Sequence, residues 1–436
     1  MRILVIGSGG REHALCWALR NTCTSPLELF CAPGNAGIGQ IAQCVPLAVN
    51  HNEALVSFAA EAEIDLTMVG PEAPLAAGVV DAFRQRRFSI VGPTQDAARL
   101  ESSKAFAKDF MQRHAIPTAR YRVVSSGGEA FDVLRSGEFG DRNASVVIKA
   151  DGLAAGKGVF VAANREAAFS ALNELQSGAV APGAAQRIVI EEELKGSEAS
   201  LLLFSDGRNF RLMPPARDHK RVGENDTGPN TGGMGSITDA SILDDSLLDR
   251  IVREIVEPTL AGCRAEDFAF QGILFIGMML TSEGPRVLEY NVRFGDPETQ
   301  AILMRLKTDL AEIFQAMTEG RLGELKLDWS EDASACVVLA SRGYPARAET
   351  GAIIHGLEQA QRYPNTAIFH AATSRGSKGE WLTAGGRVLG VTATGESLDV
   401  ALSRCYTAVA DINWEGLHYR RDIGRTSARS LAVDGA

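Results

Sequence analysis

The chain has 436 residues, of which 45% are hydrophobic and 22% charged, and a formal net charge of −10. That balance excludes wholesale disorder, and the acidic surplus argues against a partner bound through a nucleic-acid backbone. A chain of this length exceeds one ordinary core, and no apolar run approaches the roughly twenty residues of a membrane span.

The first residues, "MRILVIGSGG", carry one positive charge before a short apolar run that stops at glycines, which reads as a buried strand rather than a signal peptide. Over the first hundred residues four apolar runs, "RILVIG", "LELFCAPG", "DLTMVGPE" and "FSIVGP", alternate with amphipathic stretches. This alternation predicts a doubly wound parallel sheet, whose ligands bind beyond the carboxyl ends of the strands, here at "GSGG", "APGNAG", "GPEAP" and "GPT". Gly7 and Gly9 fit the start of a dinucleotide fingerprint, but Glu12 takes the third position and the second strand ends without an acid for a ribose hydroxyl. The turn is therefore either an anion-binding strand–helix junction or a tight turn without a ligand.

From "LESSKAFAKDFMQRHAIP" the texture changes: a helix containing Lys104 ends before Pro117, and strands "ARYRVV" and "SVVIKA" follow. The next residues, "DGLAAGKG", resemble a P-loop but have three residues between Gly152 and Gly156, and Gly158 follows Lys157 where Ser or Thr is needed. Because "VFVAA" alternates afterwards, the segment reads as the glycine-rich turn of a hairpin. A helix near 164–176, the run "RIVIEEEL" and a hairpin turning at Asp206–Gly207 come next. The segment "DHKRVGENDTGPNTGGMGS" has no hydrophobic period and reads as a long functional loop.

A helix from about 242 to 262 precedes the strands "FQGILFIGMML" and "PRVLEYNV". Glu289 and Asn291, two apart on the second of these, share a face and offer hard oxygen ligands for Mg²⁺. Arg293 continues the parity and adds a fixed cation; the competing reading is a solvated face of an edge strand. Lys104, Lys149 and Lys157 are possible phosphate contacts, although a lysine ending a strand is as often solvated. From about 328 a block of short strands and a helix near 397–412 holds few clustered polar residues and reads as a supporting domain. The seven cysteines are scattered, odd in number and without CxxC spacing, as expected of a reducing cytoplasm.

"VIKADGLAAGKGV", "IEEELKGSEAS", "DHKRVGENDTGPNTGGMG" and "LEYNVRFGDPETQ", with the N-terminal "GSGGREHA", "APGNAG" and "VGPEAPL", resemble in order and spacing the phosphoribosylamine–glycine ligases of the ATP-grasp superfamily. The resemblance spans essentially the whole chain. It implies an α/β and α+β multidomain fold: an N-terminal Rossmann-like substrate domain (1–102), an ATP-grasp domain (103–327, lid about 118–190) and a C-terminal mixed domain (328–436). The implied reaction joins glycine to 5-phosphoribosylamine with ATP cleaved to ADP and phosphate, through a glycyl phosphate, in a cytoplasmic monomer of the purine pathway. An ATP-grasp carboxylase subunit using bicarbonate and a catalytically silent nucleotide-binding module are the competing functions.

By the same resemblance, Lys104, Lys149, Gly152, Gly156, Lys157, Glu191 and Glu198 bind ATP, and Glu289 and Asn291 hold Mg²⁺ or Mn²⁺. Arg293, Asp218 and Lys220 are the implied catalytic groups, and Gly9, Gly10, Pro71, Glu72, His219, Gly295 and Asp296 the implied substrate contacts. The chain departs from the family pattern at Arg217, where Gln is expected, at Ser102, where Gly is expected, and at Ile237, near an expected Tyr. The strand "GILFIGMML" also lacks the acid that many ATP-grasp enzymes place there, so phosphate or water must complete the metal shell.

Overall fold

The computed structural model describes residues 1–153, 158–177 and 187–425. No helix among them is long and apolar enough to cross a membrane.

Strands β1 (Arg2–Gly7), β2 (Glu28–Pro33), β3 (Gln43–Cys44), β4 (Leu66–Val69) and β5 (Ile90–Val91) pair in parallel in the order β3-β2-β1-β4-β5. Helices cover both faces, which is why Ile3, Leu4, Val5 and Ile6 are all fully buried and the strand reads as an unbroken apolar run. The edge strand β3, two residues long, has no sequence signal and adds to the four expected runs.

The expected helix around Lys104 is two helices, Gln95–Ser102 and Lys104–Arg113, broken at Ser103. The Ser103 hydroxyl accepts from Phe106 N–H at 3.1 Å and donates to Asp151 at 3.0 Å, so the break ties this helix to the glycine-rich segment. Strands β6 (Tyr121–Val124), β7 (Val146–Ala150), β8 (Val159–Ala162) and β9 (Ile188–Glu192) form an antiparallel sheet ordered β6-β9-β7-β8. With helices Gly127–Ser136 and Arg165–Gln176 it encloses its own core, including Val124, Leu134, Ile148, Leu172 and Ile190. β7 and β8 are a hairpin paired Lys149 to Val159, as the alternation of "VFVAA" predicts; its tip, with Gly156 and Lys157, lies outside the described residues.

The central sheet begins with β10 (Ser197–Asp206) and β11 (Phe210–Leu212), the expected hairpin, in which the Asp206 carboxylate accepts from Arg208 and Asn209 N–H across the turn. The segment expected to be a structureless loop is instead β12 (Ala216–Asp218), the small hairpin β13 (Arg221–Gly223) and β14 (Thr227–Asn230), and β15 (Gly235–Thr238). These strands are three or four residues long, too short for a period to show, and backbone pairing defines them.

β16 (Gln271–Thr281), β17 (Gly284–Asn291), β18 (Ala333–Ala340), β19 (Thr366–His370), the small pair β20 (Thr373–Arg375) and β21 (Trp381–Thr383), and β22 (Arg387–Gly395) complete the strands. The order β17-β16-β10-β12-β15-β18-β22-β19 runs through one sheet, so the C-terminal strands extend the central sheet across the β15–β18 pair.

Candidate active site

A cavity of about 430 Å³ opens where the carboxyl end of β4, the β7–β9 face of the small sheet, β12 and β17 converge. Pro71 and Glu72 wall it from the N-terminal sheet, Lys104 from its helix, Lys149 and Glu191 from the small sheet, and Glu289 and Asn291 from β17.

On one wall the Glu191 carboxylate, 2% exposed, lies 2.8 Å from Lys149 Nζ and 2.9 Å from Lys108 Nζ. Lys149 also donates to Leu288 O at 3.1 Å and Lys108 to Thr118 Oγ1 at 2.7 Å. Burial alone would raise the Glu191 carboxyl, but the two ammonium groups hold it below the usual carboxylate range. Burial also pulls Lys108 down to about 8 despite its ion pair. Lys104, likewise lowered by burial, donates to Gly152 O at 3.0 Å, which is how Gly152 enters the site: through its carbonyl.

Arg293 is held from several sides. Its guanidinium stands 2.9 Å from Glu101 and 3.4 Å from Glu72, and it donates to Asn291 Oδ1 at 3.1 Å and Phe294 O at 3.2 Å. Glu101 in turn accepts from Val292 N–H at 2.7 Å. A planar donor fork fixed this way presents its cation in one orientation.

Glu289, by contrast, makes no ion pair among the described residues although it lines the cavity. Burial would raise its pKa, yet Lys220, Lys149, Lys104 and Arg293 keep it below the usual range and therefore ionised. An ionised, unpaired carboxylate with an amide oxygen two residues along the same strand is a hard-oxygen pair that fits Mg²⁺ or a similar cation. No group of three or more His, Cys, Asp or Glu that could hold a metal occurs among the described residues, so the pair is the candidate.

Across the cavity, Asp296 lies 3.2 Å from Arg387 and accepts from Gln300 Nε2 at 2.8 Å. Against the pull of burial, Arg387 and Arg11 hold Asp296 ionised. Asp218 and Lys220 also wall the cavity, and Lys220 lies 2.8 Å from Glu198. Glu198, expected on the ribose, is not among the lining residues and serves Lys220 instead.

Other expected contacts stand behind the wall. The buried His219 ring accepts from Gly424 N–H at 3.1 Å, and burial takes it down to about 4, so it is a neutral support for the C-terminal segment. Gly9 N–H donates to Glu12 at 2.6 Å, and a Cβ at Gly10 would fall 2.8 Å from Gln300 Nε2, so these glycines let α/β sheet and central sheet pack closely. Gly295 likewise gives room to Glu298.

Sequence reasoning missed Arg11, Glu101, Lys108, Glu298 and Arg387, all of which line the cavity. Arg387 corrects the reading of the C-terminal block as merely supporting: it reaches Asp296 and donates to Gly232 O and Asp296 O. Its only signal was an arginine opening an otherwise apolar strand. Of the departures, Arg217 donates to Glu198 O at 3.1 Å, Ser102 ends the helix before the Ser103 break, and Ile237 is 3% exposed in the core.

A parallel α/β sheet, a small antiparallel sheet with a glycine-rich hairpin and a central sheet that carries Glu289 and Asn291 on one face define an ATP-grasp enzyme. Family models of phosphoribosylglycinamide synthetase match in all three parts: the N domain over residues 1–101, the ATP-grasp (A) domain over 102–299 and the C domain over 334–426. The phosphoribosylamine–glycine ligase of Yersinia pestis is 47% identical over 97% of this chain and 98% of its own, and that of Vibrio cholerae 46% over 99% and 100%. The crystal structure of phosphoribosylamine–glycine ligase from Thermotoga maritima superposes with a TM-score of 0.83 at 33% identity, over 97% of this chain and 100% of that one. A biotin carboxylase from Campylobacter jejuni shares the fold, with a TM-score of 0.69 at 16% identity over 96% of this chain and 92% of its own. The chain belongs to the phosphoribosylamine–glycine ligase family.

Proposed function

We propose that this protein joins glycine to 5-phosphoribosylamine, forming glycinamide ribonucleotide while ATP is cleaved to ADP and phosphate. The observation that carries the reading is the family match across the chain's length together with a cavity in which Glu289, Asn291 and Arg293 face it side by side.

The chemistry needs no covalent enzyme intermediate. The glycine carboxylate attacks the γ-phosphorus of ATP, and the amine nitrogen then displaces phosphate from the acyl carbon, so the protein's work is positioning and charge neutralisation. Lys104 and Lys149 supply cations to the triphosphate, and Gly152 opens the glycine-rich segment of the β7–β8 hairpin that covers it. Glu191 fixes Lys149 at the adenine side through their 2.8 Å ion pair. Arg293, oriented by Glu72 and Glu101, faces the transferring phosphoryl group. Glu289 and Asn291 would hold Mg²⁺ or Mn²⁺, which when bound neutralises phosphate charge and acts as a Lewis acid.

Asp296, fixed by Arg387, and Glu72 border the acceptor side, and closing the β7–β8 hairpin excludes water from the acyl phosphate. The working unit on this reading is a monomer. The seven cysteines are free thiols, five of them buried, which supports a reducing cytoplasm as the working compartment.

The test is the substrate requirement of ADP release. Release should need glycine and phosphoribosylamine together; release with neither, or with bicarbonate in place of glycine, would refute the proposal.

A further inference from the structure

We infer that Asp218 and Glu298 form the seat for the ammonium group of glycine, the end of the substrate that is not activated. The inference rests on the ligase reading above and deepens it.

Glu298 opens the helix Glu298–Leu303, is 4% exposed and lines the cavity, and its carboxylate makes no ion pair with any described residue. Asp218 ends β12 on the same cavity, and its Oδ1 is buried without a hydrogen-bond partner among the described residues. Both carboxylates rest against bare backbone: a Cβ at Gly233 would fall 2.8 Å from Asp218 Oδ1, and one at Gly295 would fall 2.5 Å from Glu298 Oε2. Ser236, paired in register with Asp218, donates to Pro297 O at 2.8 Å and locks β12 and β15 to the start of the Glu298 helix. The two acids are therefore built into place, and the place is inside the cavity.

The neighbouring cations are already committed. Lys220 is 2.8 Å from Glu198, Arg387 is 3.2 Å from Asp296, and Arg293 lies between Glu72 and Glu101. Burial and the repulsion between them raise the Asp218 carboxyl well above its usual range, and burial raises that of Glu298, even with Lys220, Arg387 and Arg293 nearby, so a further cation between the two is what would hold both ionised. An ammonium group is a compact point charge with three donors, which two carboxylates can accept together. ATP carries no such group. The phosphoribosylamine nitrogen must be unprotonated to attack, and an anionic pair would hold it as the unreactive cation. Glycine is the substrate whose ammonium persists unchanged through the reaction.

Steady-state kinetics of the full chain with Glu298→Gln and Asp218→Asn separates the roles. The KM for glycine should rise roughly 10- to 100-fold in each variant, the loss of one charged hydrogen-bond partner, while the KM for ATP stays within about twofold. The wild type should also prefer glycine to glycolate, which replaces the ammonium with a hydroxyl, and the variants should narrow that preference. A glycine KM within twofold of wild type in a folded variant would overturn the seat. So would a fall in kcat at unchanged glycine KM, which would make the pair the acceptor of the amine proton. If one variant fails to fold, the other and the wild-type glycolate comparison still decide; a wild type that binds glycolate as well as glycine overturns the inference. Failure of the ligase reading is distinct, since the wild type itself would then show no release of ADP dependent on glycine and phosphoribosylamine.

Discussion

Replacing Glu191 with Gln removes the carboxylate shared by two buried ammonium groups, Lys108 at 2.9 Å and Lys149 at 2.8 Å. In the folded wild type Lys108 titrates near 8 rather than 10.5. At about 1.36 kcal/mol per pH unit, keeping it charged in the fold at pH 7 costs about 3.4 kcal/mol relative to the unfolded chain. Without Glu191 the folded pKa drops further, but the cost cannot grow indefinitely, because Lys108 gives up its proton once charging exceeds deprotonation. At pH 7 deprotonation costs about 4.8 kcal/mol, so the additional loss through Lys108 is capped near 1.4 kcal/mol. The broken Lys149 pair adds roughly 1.5–3 kcal/mol, which puts Glu191→Gln about 3–4.5 kcal/mol below wild type at pH 7.

The pH dependence is the sharper part of this prediction. The folded pKa of Lys108 lies below the unfolded one, so the unfolded chain holds the proton more tightly and stability gained from this group rises between about pH 8 and 10.5. At pH 9 Lys108 is mostly neutral in both folded proteins, and its share of the difference falls to about zero. Urea unfolding of both proteins at pH 7 and pH 9 should therefore show the gap shrink by roughly 1.4 kcal/mol on going alkaline. A gap that stays constant or widens would refute the reasoning.

Other expectations are briefer. Glu289→Gln should lower turnover roughly 100-fold or more while the melting temperature stays near wild type, because a cation ligand is lost but no internal ion pair is; an unchanged rate would put the metal elsewhere. Burial holds His13 and His219 near 4 and His370 near 3, so the unfolded chain takes up protons near 6.5 that the fold refuses. Their stability is complete above that pH and is lost as pH falls toward 4, about 2 kcal/mol per histidine between pH 6.5 and 5, and denaturation midpoints that stay flat over this window would contradict it. Gly233→Ala should destabilise by roughly 1–3 kcal/mol, since φ is +110° and the new Cβ would press on Pro297 and Asp218; thermal melting within about 1 °C of wild type would count against it.

What the sequence discloses follows the range over which its signals act. Period and turn chemistry are local, so the parallel sheet, the Asp206–Gly207 hairpin and the β7–β8 hairpin are all legible, and two-residue spacing brings Glu289 and Asn291 to one face. Lys108 was invisible because "KAFAKDF" places it on a helix where lysine is ordinary, and its burial depends on Glu191, more than eighty residues away. Arg387 was invisible for the same reason: its partner Asp296 lies on another segment, and only the β15–β18 pairing brings the C-terminal strands to the cavity. His219 misled in the opposite sense, since a histidine beside two polar site residues, just past the end of β12, is buried against Gly424 instead.

The charges of the cavity suggest what it is built to receive. As many acidic as basic side chains line it, so a polyanion would gain little from the formal sum alone. The pairing pattern is what matters. Glu191 is held by two lysines, Glu72 and Glu101 by Arg293, and Asp296 by Arg387. Lys104 donates to a carbonyl and lies in no ion pair among the described residues, so it is a cation available to phosphate. The acids left over are Glu289 and, elsewhere on the cavity, Asp218 with Glu298; none makes a direct ion pair among the described residues, so each favours a cation brought in by a ligand. A divalent cation at the first and an ammonium at the second would neutralise both. The substrates of a glycine-activating ATP-dependent ligase bring those two charges, which is why the unpaired acids carry more information about function here than the paired ones.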